Sequence, residues 1–219
     1  MKIKQLIPKY AIIPTVLLFL LQIVAYYGSQ FINKNYYAHD LTIPFIDNSV
    51  PLVTFFIVFY ILSYPWWIIS PIIVAHTNKK RFYNWIIALM ICYVICGVIY
   101  IFLPTTITRP VIENKNVFDW LNNFIYLNDN PERAINLFPS FHCLISWFCF
   151  IGVRKQKNIT KGYRLLALIF AILICLSTQF VKQHYIVDLI SGIVLAEVVF
   201  YFVNKVNLGS YLRKGNYDN

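Results

Sequence analysis

Along the whole chain, long apolar runs alternate with short clusters of Lys, Arg, Asn and Asp. A helix needs about 20 mainly apolar residues to cross the hydrocarbon layer of a bilayer, and several runs here approach that length. They predict six helices, over residues 10–27, 51–75, 85–103, 139–153, 165–180 and 185–203. Pro65 and Pro71 fall inside the second, where a membrane helix tolerates proline as a kink. A polar stretch, 28–48, separates the first two helices, and a longer polar loop, 104–137, separates the third from the fourth. The first run follows Lys2, Lys4 and Lys9 and so resembles a signal peptide. No small-x-small cleavage site follows it, and it is expected to stay as an anchor. Neither an internal repeat nor a low-complexity segment interrupts the pattern. The expected fold is all-α: one domain over 1–219, a polytopic bundle of six transmembrane helices.

Composition sharpens that picture. Hydrophobic residues make up 59% of the chain and charged residues only 13%, against about 25% charged in soluble domains. The net charge of +10 would suit nucleic acid if it were gathered in one block, but it is split among short loops. The expected partner is therefore the lipid bilayer, and no nucleic acid. One side collects Lys2, Lys4, Lys9, Lys79, Lys80, Arg81, Arg154, Lys155, Lys157, Lys161, Arg164, Lys205, Arg213 and Lys214. The other has Lys34, Arg109, Lys115, Arg133 and Lys182, with most of the acids. By the positive-inside rule, both termini are expected in the cytoplasm, with loops 28–50 and 104–138 and the last interhelical turn facing outward. The five cysteines all lie in apolar runs, with Cys92 and Cys96 one helical turn apart. Neither a disulfide framework nor a zinc site follows. The Lys-, Asn-, Ile- and Tyr-rich usage points to an AT-rich bacterial genome. No feature sets an oligomeric state.

Three outward segments carry residues capable of chemistry: 105–110, 138–142 and 177–188. His184 and Asp188, at i and i+4, share one face of a helix. The carboxylate can fix the imidazole tautomer and leave the other ring nitrogen as nucleophile or base. A structural polar pair is the alternative, although ionisable groups inside membranes are usually functional. His142 falls in the first turn of the fourth helix, where free N–H groups and the dipole favour an anion. It could protonate a departing alkoxide, with the Ser140 hydroxyl as a further donor, or it could simply sit at headgroup level. Arg109 offers a planar fork for phosphate oxygens or a snorkelling side chain. Convergence at one membrane face favours a phosphoryl-transfer site. His39 and His76, in opposite loops without partners, read as solvated. Glu197, nine residues beyond Asp188, is expected to find a partner within the bundle. The aromatic pairs read as interface belts.

These segments resemble the three signature motifs of the type 2 phosphatidic acid phosphatase superfamily, Lys-x6-Arg-Pro, Pro-Ser-Gly-His and Ser-Arg-x5-His-x3-Asp. Arg109-Pro110 matches the end of the first. Pro139-Ser140-Phe141-His142 matches the second except at its glycine, and Ser177, His184 and Asp188 match the third at the right spacing. The resemblance spans nearly the whole chain. It implies that His184 attacks phosphorus to form a phosphohistidine, oriented by Asp188, and that His142 protonates the leaving oxygen. Arg109, Ser140 and backbone amides would hold the phosphoryl oxygens, and neither metal nor cofactor is implied. Phe102, Thr178 and Phe141 stand where the family has Lys, Arg and Gly. Lys182 is expected either to supply part of the missing charge or to be an interfacial lysine.

The leading expectation is a lipid phosphatase acting on a membrane lipid phosphate or pyrophosphate at the outer face. A lipid phosphotransferase is the alternative, like the inositolphosphorylceramide and sphingomyelin synthases, with a lipid or sugar hydroxyl replacing water. A non-enzymatic transporter is the third reading. It predicts polar residues through the membrane midplane, whereas here they gather at one face.

Overall fold

The computed structural model describes residues 6–33, 37–128 and 135–214; the topology residues Lys2, Lys4, Lys34 and Arg133 lie outside the described residues. The protein is almost entirely helical, and five helices are long and apolar enough to cross a membrane: Lys9–Ile32, Thr54–Ala75, Lys79–Phe102, Lys161–Phe180 and Ile186–Val206. A sixth apolar helix, Phe141–Val153, is shorter. The expected six-helix membrane bundle is therefore present.

The first span consists of α1 (Lys9–Ile23), a π-helical turn (Val24–Gly28) and α2 (Ser29–Ile32). The short α3 (Pro44–Asp47) lies in the following loop. A 3-10 turn (Thr54–Phe56) opens the second span and runs into α4 (Ile57–Ala75), which accommodates both Pro65 and Pro71. The central helix is α5 (Lys79–Phe102). The Asn78 side chain caps it by accepting from the Arg81 N–H at 3.2 Å. Helix formation thus begins six residues before the apolar run does, because a cap rather than hydrophobicity sets the first turn. The same holds for α8 (Lys161–Phe180), whose cap Thr160 accepts from the Tyr163 N–H at 3.2 Å. Ser140 caps α7 (Phe141–Val153), and α9 (Ile186–Val206) leads to the short α10 (Gly209–Lys214).

The core gathers around α5, whose Trp85, Tyr93, Cys96 and Tyr100 are fully buried against α1, α7 and α9. At its edge the half-buried Arg154 guanidinium pairs with both carboxylate oxygens of Glu197, one of which also accepts from Trp147 Nε1 at 2.7 Å. That is the in-bundle partner expected for Glu197.

The end of the bundle that carries residues 37–53 and 104–137 departs from the plain loops that polarity predicts. Residues 104–137 contain an amphipathic helix, α6 (Val117–Asn128). Asn116 caps its start, and Phe118, Leu121 and Ile125 pack on Ile57, Tyr60 and Val181. Strands β1 (His39–Asp40) and β2 (Thr105–Thr106) pair in parallel and tie the loop after the first span to the loop after α5. The Asp47 carboxylate then pins the first loop to the bundle, accepting from the Ile43 N–H at 2.6 Å and the Ile186 N–H at 2.9 Å.

Candidate active site

His184 sits in the tight turn between α8 and α9. The N–H groups of Gln183 and His184 both donate to the Thr178 carbonyl, at 2.9 and 3.1 Å. Lys182 adopts the left-handed conformation (φ 52°) that this reversal needs. A backbone held this closely presents the His184 ring in one orientation. Asp188, in the first turn of α9, accepts from His184 Nδ1 at 3.3 Å and from the Tyr185 N–H at 2.9 Å through the same oxygen. An ionised carboxylate only accepts, so this contact suits the tautomer with its proton on Nδ1 and its lone pair on Nε2. Both side chains are buried, Asp188 almost completely.

His142, the second residue of α7, approaches from the opposite side; its ring centroid is 6.2 Å from that of His184. Aromatic rings fix its plane: Tyr60 stacks on it at 4.0 Å, Trp67 lies at 4.8 Å and Tyr64 meets it edge-on at 5.5 Å. Its Nε2 is shielded from solvent without a hydrogen-bond partner among the described residues.

Arg109 reaches the same place from the loop after β2. Its guanidinium donates to Gln183 Oε1 at 2.8 Å and to the Tyr126 carbonyl at 3.0 Å, and lies 4.9 Å from the Tyr126 ring centroid. Tyr126 is itself anchored, its hydroxyl donating to the Val181 carbonyl at 2.6 Å. Burial pushes the Tyr126 phenol above its usual range, although Arg109 opposes the shift.

The remaining predicted residues are distributed around this cluster. Ser140 is fully buried as the α7 cap; its Oγ accepts from the Cys143 N–H at 3.3 Å and its own N–H donates to the Asp188 carbonyl at 3.0 Å. Phe141 occupies the motif's glycine position by filling an aromatic nest of Tyr26, Tyr93 and Tyr100. Ser177 is fully buried and donates to the Ile174 carbonyl at 2.7 Å, a bond within its own helix. Lys182 lines the site, but its ammonium is engaged by the carbonyls of Asp47 and Val50. Burial lowers its pKa, against the opposing pull of Asp47. Phe102, at the family's lysine position, is 81% exposed, and Thr178 is buried. His39 and His76 are exposed, as expected; His39 stands edge-on to Tyr37, and His76 Nε2 lies 3.1 Å from the Leu6 carbonyl.

Each histidine of the pair lines a different cavity. One, of about 550 Å³, is lined mostly by polar residues, with Arg109, Gln179, Lys182, His184, Asp40 and Tyr185 in its wall. The other, of about 490 Å³, is apolar and aromatic, with Tyr26, Tyr60, Tyr64, Trp67, Phe141 and His142 in its wall. It lies between the first span and α4, with Ile23, Tyr27 and Ile68 exposed along its rim. Gln183, Tyr126, Asp40 and Asp47 were not singled out from sequence. Only the polarity of their segments marks them there, since their partners are distant in the chain. Among the described residues, no three His, Cys, Asp or Glu side chains converge as a metal site.

Fold and site together define a multi-pass membrane protein with a histidine–carboxylate pair facing a second histidine and an arginine at one end of its bundle. The chain belongs to the PAP2 superfamily, whose family model matches residues 36–202. It is also similar to an uncharacterized protein of Methanocaldococcus jannaschii, at 24% identity over 179 residues that cover 80% of this chain and 69% of that one. No solved structure matches.

Proposed function

We propose that this protein hydrolyses a lipid phosphate or pyrophosphate at the outward face of the cell membrane through a phosphohistidine on His184. The observation that carries this reading is the histidine pair, 6.2 Å apart, with one ring in a polar cavity and the other in an aromatic one. A lipid phosphate needs both surroundings at one phosphorus atom.

In the first step the His184 Nε2 lone pair attacks phosphorus, forming the N–P bond while the P–O bond to the lipid breaks. His142, on the apolar side, gives its proton to the departing alkoxide. Asp188 holds the attacking tautomer and stabilises the positive charge that grows on the ring. In the second step His142 takes a proton from water, whose oxygen attacks phosphorus and releases His184. Arg109 meets the negative phosphoryl oxygens as a planar donor. Ser140 acts through the helix: its cap aligns the first turn of α7, and with it His142. Superfamily membership makes phosphoester chemistry the expected class.

A second reading, transfer of a phospho-headgroup to a lipid or sugar hydroxyl, is favoured by Phe102 and Thr178. Neither position carries the cation that a dianionic phosphate would use there.

The test compares wild type with His184→Ala in detergent containing EDTA. The substrates are phosphatidic acid, phosphatidylglycerophosphate and undecaprenyl pyrophosphate. Free phosphate and new phospholipids are followed together, with acid-labile phosphate on the protein as a third readout. His184-dependent phosphate release supports hydrolysis, and His184-dependent headgroup exchange without phosphate supports transfer. Turnover that survives the substitution would refute the mechanism.

A further inference from the structure

Helix α6 carries more apolar surface than the bundle covers. Phe118, Leu121 and Ile125 pack on Ile57, Tyr60 and Val181, whereas Val117, Trp120, Phe124 and Leu127 are between 48% and 66% exposed. An α-helix advances about 100° per residue, so the seven share one arc of about 180° and the exposed four fill the side of it turned from the bundle. Trp120 and Phe124 stack there, with ring centroids 5.7 Å apart. A contiguous apolar stripe on the outside of a fold marks a surface that meets something other than water.

The place of α6 in the fold says what covers it. Ile57 and Tyr60 belong to the first turn of α4 and Val181 directly follows α8, so α6 lies where two membrane-spanning helices end. Phe55, in the 3-10 turn that opens the second span, is itself exposed and meets the Phe118 ring edge-on at 5.2 Å. The stripe therefore continues the lipid-facing surface of that span. Its 12 residues are too few to cross a bilayer, while tryptophan favours the headgroup level. The polar side of the same helix holds the arginine loop. The Tyr126 carbonyl accepts from Arg109, and Asn123 Nδ2 donates at 2.8 Å to the carbonyl of Ile112, three residues further on.

We infer that α6 is an interfacial membrane helix: Val117, Trp120, Phe124 and Leu127 enter the boundary between headgroups and hydrocarbon, and the bilayer thereby holds Arg109 at the histidine pair. Protein supplies one half of the apolar seat of α6 and lipid the other. Interfacial helices often add Lys or Arg on their polar face to attract acidic lipids. Residues 117–128 contain neither, so the seat depends on apolar area and not on headgroup charge. The link to catalysis rests on the His184 mechanism above; the seating of α6 does not.

The experiment places the full chain in lipid nanodiscs of phosphatidylcholine, with or without phosphatidylglycerol, in which part of the phosphatidylcholine is brominated near the top of its acyl chains. The fluorescence difference between wild type and Trp120→Phe isolates Trp120 from the other tryptophans. Bromine is expected to quench that difference equally in neutral and acidic discs. A Trp120 signal that bromine does not reach, as when a protein or a second copy covers the stripe, would overturn the seating. Quenching confined to acidic discs would overturn its independence of charge. Turnover of a water-soluble short-chain phosphatidic acid is then measured in the same discs for Phe124→Asp/Leu127→Asp. Its kcat/KM is expected to fall about tenfold, the scale of one hydrogen bond to a charged group. Melting in detergent should not change, because both side chains are exposed, and Phe124→Leu/Leu127→Ile should retain wild-type turnover. A kcat/KM unmoved by the two aspartates would overturn the link to Arg109. His184→Ala is the control: turnover equal to wild type would overturn the mechanism and that link, whereas the Trp120 readout is independent of turnover.

Discussion

Gly192 of α9 lies directly against the Ser140 carbonyl that begins α7: a Cβ added to Gly192 would stand 2.7 Å from that oxygen and 3.2 Å from the Leu144 nitrogen. One turn earlier on α9, the Asp188 carbonyl accepts from the Ser140 N–H at 3.0 Å. This close crossing is what sets His142 against His184. Gly192→Ala is expected to spread the two helix ends, lowering kcat at least tenfold with a stability loss of about 1–3 kcal/mol from overpacking. Thermal melting and turnover measured on the same preparation check this. Full activity would show that the crossing does not set the site.

Asp188→Asn keeps the side-chain shape but puts an amide where His184 Nδ1 donates. The imidazole then settles into the wrong tautomer, and kcat is expected to drop by about a thousandfold or more. Binding of a substrate analogue should change little. Single-turnover measurement of phosphohistidine formation separates the two effects.

Arg109→Lys replaces a fork by a point charge and loses the bonds to Gln183 and Tyr126. A loss of about 1.5–3 kcal/mol in transition-state binding is expected, the magnitude of a charge-assisted hydrogen bond. Gln183→Ala, which only releases one arm of the guanidinium, is expected to lose several-fold in kcat/KM. Steady-state kinetics on both variants decide the order. A Gln183→Ala loss as large as that of Arg109→Lys would assign Gln183 a direct role.

The aromatic cavity predicts a dependence on chain length. Tyr64 stands at its wall, partly exposed, so Tyr64→Ala removes apolar wall with little effect on folding. Long-chain substrates are expected to lose about tenfold in kcat/KM, the equivalent of two methylene groups at ~0.8 kcal/mol each. Water-soluble short-chain analogues should lose less, and equal losses would place the acyl chains elsewhere.

Glu197→Ala removes the partner of Arg154 far from the histidines. Stability is expected to fall by about 1–2 kcal/mol without loss of specific activity. The double variant with Arg154→Ala should recover part of that loss, because it no longer leaves an unmatched guanidinium. Melting of the four proteins of this cycle gives the coupling.

The spans were legible because membrane burial imposes a long apolar run on every crossing helix, and the sequence has little else. The ends were less so: α5 and α8 begin at polar caps, Asn78 and Thr160, that hydrophobicity does not register. The helix 117–128 was hidden because its apolar stripe, Phe118, Leu121 and Ile125, is spaced among polar residues rather than forming a run. His184, Asp188 and His142 could be read because local spacing encodes their geometry. Gln183 and Tyr126 could not, since each meets Arg109 from far along the chain, across 74 and 17 residues.

His184 and His142 line different cavities, one walled by polar side chains and the other by aromatic ones. On the proposed chemistry, the first step sends the alcohol sideways into hydrocarbon, and the second, which breaks the N–P bond, sends the phosphate outward into water. Neither product dissolves where the other goes. Recombination would require both to return to one narrow junction from opposite directions, so demixing itself lends the reaction its direction.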